Sequence, residues 1–112
     1  MKKSVANKWI KALRSGKYKQ TTSVLRNLEG FCCLGVLCDI ADIGKWKRVK
    51  GSKVFVFNDW YDKALPNEVM EWAGMNSNDG LLPDTSLTDL NDHEGKSFEE
   101  IADVIEKNWN IL

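Results

Sequence analysis

The segment from Phe31 to Ile43 is the most apolar part of the chain, and it restricts how the rest can fold. Its first residues suit a strand, and its apolar residues then recur at helical spacing until Gly44, the expected end of the helix. A helix that is apolar nearly all round needs neighbours on every side, so we expect it at the centre of the core. Gly35 would allow another backbone to approach it closely.

Helical periodicity and capping residues predict further helices around this segment. They cover about Val5–Leu13, Asn67–Ala73, a single turn at residues 87–92, and a C-terminal stretch from Phe98 onward. Pro66 and Gly74 suit the start and the end of the second of these helices. Ser97 and Glu100 have the spacing of a capping box, so the last helix is the most clearly signalled.

Short strands are predicted at three places between the helices. They cover residues 23–28, 46–49 and 54–57. The last two are joined by Lys50–Lys53, whose glycine suits a hairpin turn, and Trp60-Tyr61 is a candidate extension of the same sheet. A chain of 112 residues has the length of one domain. We therefore expect a single α+β domain over residues 1–112, in which a small antiparallel sheet packs with three or four helices.

The net charge of zero hides a strong asymmetry along the chain. Residues 1–57 carry 13 Lys and Arg against three acids, whereas residues 58–112 carry three Lys against 13 acids. The two halves could neutralise each other within one fold or across an oligomer, or the basic half could bind an anionic ligand. A nucleic-acid polymer fits less well, because the acidic half would repel its phosphates.

Neither a catalytic apparatus nor a metal site is visible in the sequence. The three cysteines, Cys32, Cys33 and Cys38, are an odd number within one apolar segment, which indicates buried, reduced thiols. The only histidine, His93, stands in an acidic loop, and neither the cysteine spacing nor the acids between residues 84 and 94 match a zinc or calcium pattern. We predict a protein that is not an enzyme and that uses no metal and no cofactor. No apolar run suggests a membrane span or a signal peptide, so we expect the cytoplasm.

Anion binding is the function that the residues themselves favour. Cations gather around the loop after the first helix, where hydroxyl, amide and aromatic side chains also lie: Arg14, Lys17, Tyr18, Lys19, Gln20, Thr21, Thr22 and Arg26. Guanidinium groups bind phosphates through two parallel hydrogen bonds, and aromatic rings stack on bases. We take Arg14, Lys19 and Gln20 as candidate ligand contacts. The alternative is an ordinary solvated basic loop.

Four phrases of the sequence resemble a family of small bacteriophage-encoded proteins and together cover nearly the whole chain. They are W-I-K-A-L-R-S-G-K-Y-K-Q at 9–20, F-C-C-L-G-V-L-C-D at 31–39, L-P-N-E-V-M-E-W at 65–72, and L-T-D-L-N-D at 87–92 with S-F-E-E-I-A-D at 97–103. The layout is similar to that of phage proteins that defeat the Thoeris defence of bacteria. Those proteins sequester a cyclic ADP-ribose signal without cleaving it, and some also trap cyclic oligonucleotides. They assemble as dimers or higher oligomers, with ligand pockets near subunit boundaries.

The resemblance implies a nucleotide-derived signalling molecule as the partner, in the cytoplasm of the host bacterium. It also implies that Arg26 clamps a pyrophosphate and that Asn91 hydrogen-bonds a ribose or a base edge. This chain has Leu81-Leu82-Pro83 where the family offers a stacking aromatic, so base stacking is not expected there. The alternative is a phage host-takeover protein that binds and inhibits a bacterial protein through its acidic half.

Overall fold

The α+β class is confirmed by a computed structural model, which describes residues 1–59 and 61–112. The described chain contains five helices and two antiparallel sheets of two strands each. The elements are α1 (Lys3–Arg14), β1 (Arg26–Asn27), β2 (Gly30–Phe31), α2 (Cys33–Ala41), β3 (Trp46–Arg48), β4 (Phe55–Phe57), α3 (Asn67–Ala73), α4 (Leu87–Asp92) and α5 (Phe98–Asn108). Within this described part, none of the helices has the length and apolar character needed to cross a membrane.

The apolar segment forms the central helix, α2, as predicted. Seven of its nine residues are buried, and it contacts α1, α3, α4 and β2. Gly35 faces the backbone of Leu25 so closely that a Cβ atom would lie 2.8 Å from the Leu25 carbonyl carbon. The expected end at Gly44 is wrong, because Asp42 already takes the left-handed conformation, with φ of 52°, and ends the helix. Asp tolerates that conformation better than most residues, which is why a cap without glycine is possible.

Helices α1 and α5 pack against each other, and α1 also packs against α2. Their buried faces consist of Val5, Ala6, Trp9, Ile10 and Leu13 on α1, and Phe98, Ile101, Ala102 and Ile105 on α5. Trp9 Nε1 also donates a hydrogen bond of 2.9 Å to the carbonyl oxygen of Cys33, which fixes α1 to the start of α2. The predicted capping box at Ser97 and Glu100 is present, and α3 has the predicted bounds.

The two small sheets lie side by side and make one irregular layer. Strands β1 and β2 pair with Arg26 opposite Phe31, and the predicted hairpin of β3 and β4 pairs with Arg48 opposite Phe55. An antiparallel bridge between Asn27 and Val54 joins β1 to β4. The order across the layer is therefore β2, β1, β4, β3.

Two strand predictions need correction or lie partly outside the described residues. The strand predicted at residues 23–28 is reduced to β1, because Ser23 has a φ of 73° and cannot continue an extended chain. Of the candidate extension at residues 60–61, Tyr61 forms a single bridge with Phe57, and Trp60 lies outside the described residues.

Candidate functional site

Arginines and aromatic residues alternate in one row across the four strands. Arg26 stands opposite Phe31 on one side, and the bridge between β1 and β4 places it beside Phe55 on the other. Phe55 in turn stands opposite Arg48. Directly opposed residues of neighbouring strands project from the same face of a sheet. We call Phe31, Arg26, Phe55 and Arg48 the arginine row.

The guanidinium of Arg26 rests on three aromatic rings. Its Cζ atom lies 4.3 Å from the ring centroid of Phe55, 4.8 Å from that of Phe31 and 5.5 Å from that of Trp46. The side chain is half-buried, and among residues 1–59 and 61–112 it has neither a carboxylate partner nor a hydrogen-bond partner. Its N–H groups are thus held in a fixed place while still able to bind an anion.

Two of the rings that contact Arg26, those of Phe31 and Trp46, belong to a larger aromatic cluster. Tyr18, Phe31, Trp46 and Phe57 form a chain of edge-to-face contacts, with centroids 5.1, 5.8 and 5.0 Å apart in that order. The carboxylate of Asp39 accepts hydrogen bonds from Tyr18 Oη at 2.6 Å and from Trp46 Nε1 at 3.1 Å. Burial, followed by the hydrogen bond to Asp39, raises the pKa of Tyr18 to about 12, so the phenol stays a neutral donor.

The second arginine of the row is exposed but held in place. Arg48 Nε donates a 2.8 Å hydrogen bond to the carbonyl oxygen of Ser52 in the hairpin turn. In the described chain its terminal NH2 groups have no partner. The hairpin is basic throughout, since residues 45–53 hold five cations and no acid. Two open grooves of about 450 and 520 Å³ flank the hairpin. Arg48 lines the larger one and Arg26 lines neither, so the four residues of the row do not share one groove.

The structure brings Gln20 and Asn91 together in a polar network. Gln20 Nε2 donates to Asn91 Oδ1 at 2.9 Å and to the carbonyl oxygen of Lys96 at 2.8 Å. Asn91 is only 1% exposed. Its Nδ2 donates to the carbonyl oxygen of Thr21 at 2.9 Å and to Asp92 Oδ1 at 2.8 Å.

The second hydrogen bond to Asn91 Oδ1 comes from the backbone N–H of Cys33, at 3.2 Å. An asparagine side chain has two donor and two acceptor positions, and all four are used inside the chain. The structure therefore gives Asn91 a structural role, and the ligand contact that the resemblance implies stays a prediction. Asn91 fastens α4 to the loop after α1 and to the start of α2.

The remaining predicted site residues are divided between two places. Lys19 is exposed beside the row, and its carbonyl oxygen accepts a 2.8 Å hydrogen bond from the N–H of Phe31. Arg14 instead lies at the contact of α1 with α5, where it donates to Asp103 at 2.7 Å and to Glu106 at 3.2 Å. These two carboxylates raise the pKa of Arg14 and engage both of its terminal NH2 groups, so it does not join Arg26 in one site.

Sequence reasoning missed the partners of Arg26. The predicted hairpin turn at residues 50–53 implies the pairing of Arg48 with Phe55, so part of the row could have been found from the sequence. No comparable local signal in the sequence predicts that β1 lies beside β4.

Nucleophilic chemistry has little support in the described residues. All three cysteines are buried, and desolvation raises the pKa of Cys32 to about 11 and raises those of Cys33 and Cys38 as well. A thiol with a raised pKa is a poor nucleophile at neutral pH. His93 is exposed, and its Nδ1 lies 3.1 Å from Asp89 Oδ1. Among residues 1–59 and 61–112, no three His, Cys, Asp or Glu side chains are grouped so that they could hold a metal ion.

Comparisons with known proteins place the chain in a family. A family model described as a domain of unknown function, DUF8296, matches residues 1–109. Neither the curated proteins nor the solved structures include a match to this chain.

Proposed function

The chain belongs to the DUF8296 family of domains of unknown function, and we propose that it binds a phosphate-bearing, nucleotide-derived signal and holds it without cleaving it. One observation carries the proposal: Arg26 is held against three aromatic rings and has no carboxylate partner in the described chain. The three rings already restrict the guanidinium, so it loses little conformational entropy when its free N–H groups bind phosphate. Little of the binding free energy is then offset by ordering of the side chain.

The resemblance described above supplies the first ligands to consider. Cyclic ADP-ribose isomers and cyclic oligonucleotides combine phosphates with rings, and the arginine row offers cations beside aromatic side chains. The proposed protein is a phage-encoded sponge that acts in the cytoplasm of the host bacterium. A dimer or a higher oligomer is part of the same proposal.

Sequestration requires tight binding of the ground state. A sponge that lowers a scarce signal needs a Kd in the nanomolar range, which corresponds to about −12 kcal/mol. It does not need groups that stabilise a transition state. The buried thiols with raised pKa values and the exposed His93 are consistent with such a site.

The test is calorimetric titration of the purified protein with cyclic ADP-ribose isomers, followed by mass spectrometry of the recovered ligand. Wild-type protein is expected to bind with submicromolar affinity and to return the ligand with its mass unchanged. Arg26→Met keeps much of the apolar contact with the rings but removes the charge and the N–H donors, so it is expected to lose binding.

The matched control is Arg14→Gln, which also removes one arginine but acts where the donors already face Asp103 and Glu106. It is expected to bind like the wild type. Arg26→Met that folds and still binds normally would contradict the proposal, and a ligand recovered with a changed mass would make the protein an enzyme. Absence of binding to every isomer and cyclic oligonucleotide would favour a bacterial protein as the partner instead.

A further inference from the structure

The arginine row contains a second guanidinium that the proposed function leaves unused. Arg48 stands on the far side of Phe55 from Arg26, and the strand registers place both side chains on the same face. The two arginines are therefore separated by two strand spacings, which is about 9.5 Å between their Cα atoms. Arginine side chains are long enough for both guanidinium groups to contact one ligand placed between them.

The local contacts prepare Arg48 for binding. Its Nε atom donates to the carbonyl oxygen of Ser52, which restrains the guanidinium, and its terminal NH2 groups have no partner in the described chain. Phosphate oxygens are bound by the terminal edge of a guanidinium through two parallel hydrogen bonds. The nearest hairpin neighbour, Lys47, pairs with Val56 and lies on the opposite face, because side chains alternate along a strand.

We propose that Arg48 is the second anion contact of the site and that the ligand carries two phosphate groups, one bound by Arg26 and one by Arg48. Phe55 lies between the two arginines, where its ring contacts an apolar part of the ligand. This inference rests on the proposed function and narrows its ligand to molecules such as cyclic dinucleotides or cyclic ADP-ribose, as opposed to nucleotides with a single phosphate.

The experiment compares three variants by calorimetric titration: Arg48→Gln, Arg26→Met and the control Lys47→Gln, which removes the same charge from the other face of the hairpin. The two-phosphate probes are cyclic di-AMP and the cyclic ADP-ribose isomers, and the one-phosphate probe is cyclic AMP. Circular dichroism and thermal melting of each variant establish that it is folded before its affinity is compared.

Arg48→Gln is expected to weaken binding of a two-phosphate probe by about 10- to 100-fold, the effect of losing a charge-assisted hydrogen-bond pair. Lys47→Gln is expected to change it by less than about threefold, a long-range charge effect only. Wild-type protein should bind cyclic AMP much more weakly than the two-phosphate probe.

Equal losses in Arg48→Gln and Lys47→Gln would overturn this inference. If Arg26→Met alone lost binding, the proposed function would stand while the second contact failed. Cyclic AMP binding as tightly as the two-phosphate probes would also overturn the inference. Wild-type protein that bound none of the probes would overturn both.

Discussion

Replacement of Asn91 by alanine is expected to destabilise the fold strongly, because the amide is the hub of a buried network. Its Oδ1 accepts from the backbone N–H of Cys33, and its Nδ2 donates to the carbonyl oxygen of Thr21. Both backbone groups would lose this partner in the variant. A buried polar group left unpaired costs about 1–3 kcal/mol, so two of them cost about 2–6 kcal/mol.

That loss is large against the total stability of a small domain, which is about 5–15 kcal/mol. It corresponds to a fall in the thermal midpoint of at least about 8 °C, at about 4 °C per kcal/mol. Gln20 keeps its second hydrogen bond to the carbonyl oxygen of Lys96, so its contribution to the loss is smaller.

The assay is urea denaturation followed by the fluorescence of the five tryptophans. The expected result is a lower urea midpoint with an unchanged slope, since the surface exposed on unfolding is the same. Asn110→Ala is the matched control, because Asn110 is exposed, and it should change the unfolding free energy by less than about 0.5 kcal/mol.

The ligand-contact role implied by the resemblance predicts the opposite pattern. If Asn91 mainly contacted a ligand, Asn91→Ala would unfold at nearly the wild-type urea concentration and would lose affinity for cyclic ADP-ribose. That outcome would refute the structural role assigned to the four hydrogen bonds.

Two further predictions concern close packing and pH. Gly35→Ala would place a methyl group against the Leu25 carbonyl, whose carbon would be 2.8 Å away. Urea denaturation is expected to show that the free energy of unfolding falls by about 3 kcal/mol. A fall below about 0.5 kcal/mol would show that the two backbones can separate to admit the methyl group. The folded pKa of Tyr18 is about 12 against an ordinary 10.0, so its contribution to stability is complete below pH 10.0 and is lost as the pH rises towards 12. The thermal midpoint of the wild type should therefore approach that of Tyr18→Phe over this pH range. If the difference between the two midpoints stayed constant with pH, the raised pKa of Tyr18 would be contradicted.

The elements with strong local signals could be predicted from the sequence. The bounds of α3 follow from Pro66 and Gly74, and the start of α5 follows from its capping box, because these signals act within a few residues. The hairpin is equally local. The prediction for the end of α2 was wrong because Asp42 takes a conformation that glycine usually provides.

The candidate site depends on pairings that no local signal specifies. Arg26 meets Phe55 only because β1 lies beside β4, and Asn91 meets Thr21 across 70 positions of sequence. Sequence patterns identify side chains of the right chemistry, such as Arg26 and Gln20, but they do not show whether each partner is another residue or a ligand. Asn91 and Arg26 were both expected to contact a ligand, yet only Arg26 has no polar partner in the described chain.

The charge asymmetry of the sequence is resolved differently at two places in the fold. At the contact of α1 with α5, Arg14 from the basic half pairs with Asp103 and Glu106 from the acidic half, so part of the asymmetry is neutralised within one chain. The five cations of residues 45–53 form no ion pair in the described chain, although Asp59 lines both grooves beside the hairpin. Repulsion among these cations destabilises the protein without ligand, and an anion bound at Arg26 would reduce that repulsion. Binding at the arginine row should therefore weaken steeply with added salt, whereas Arg14 would contribute nothing to that dependence.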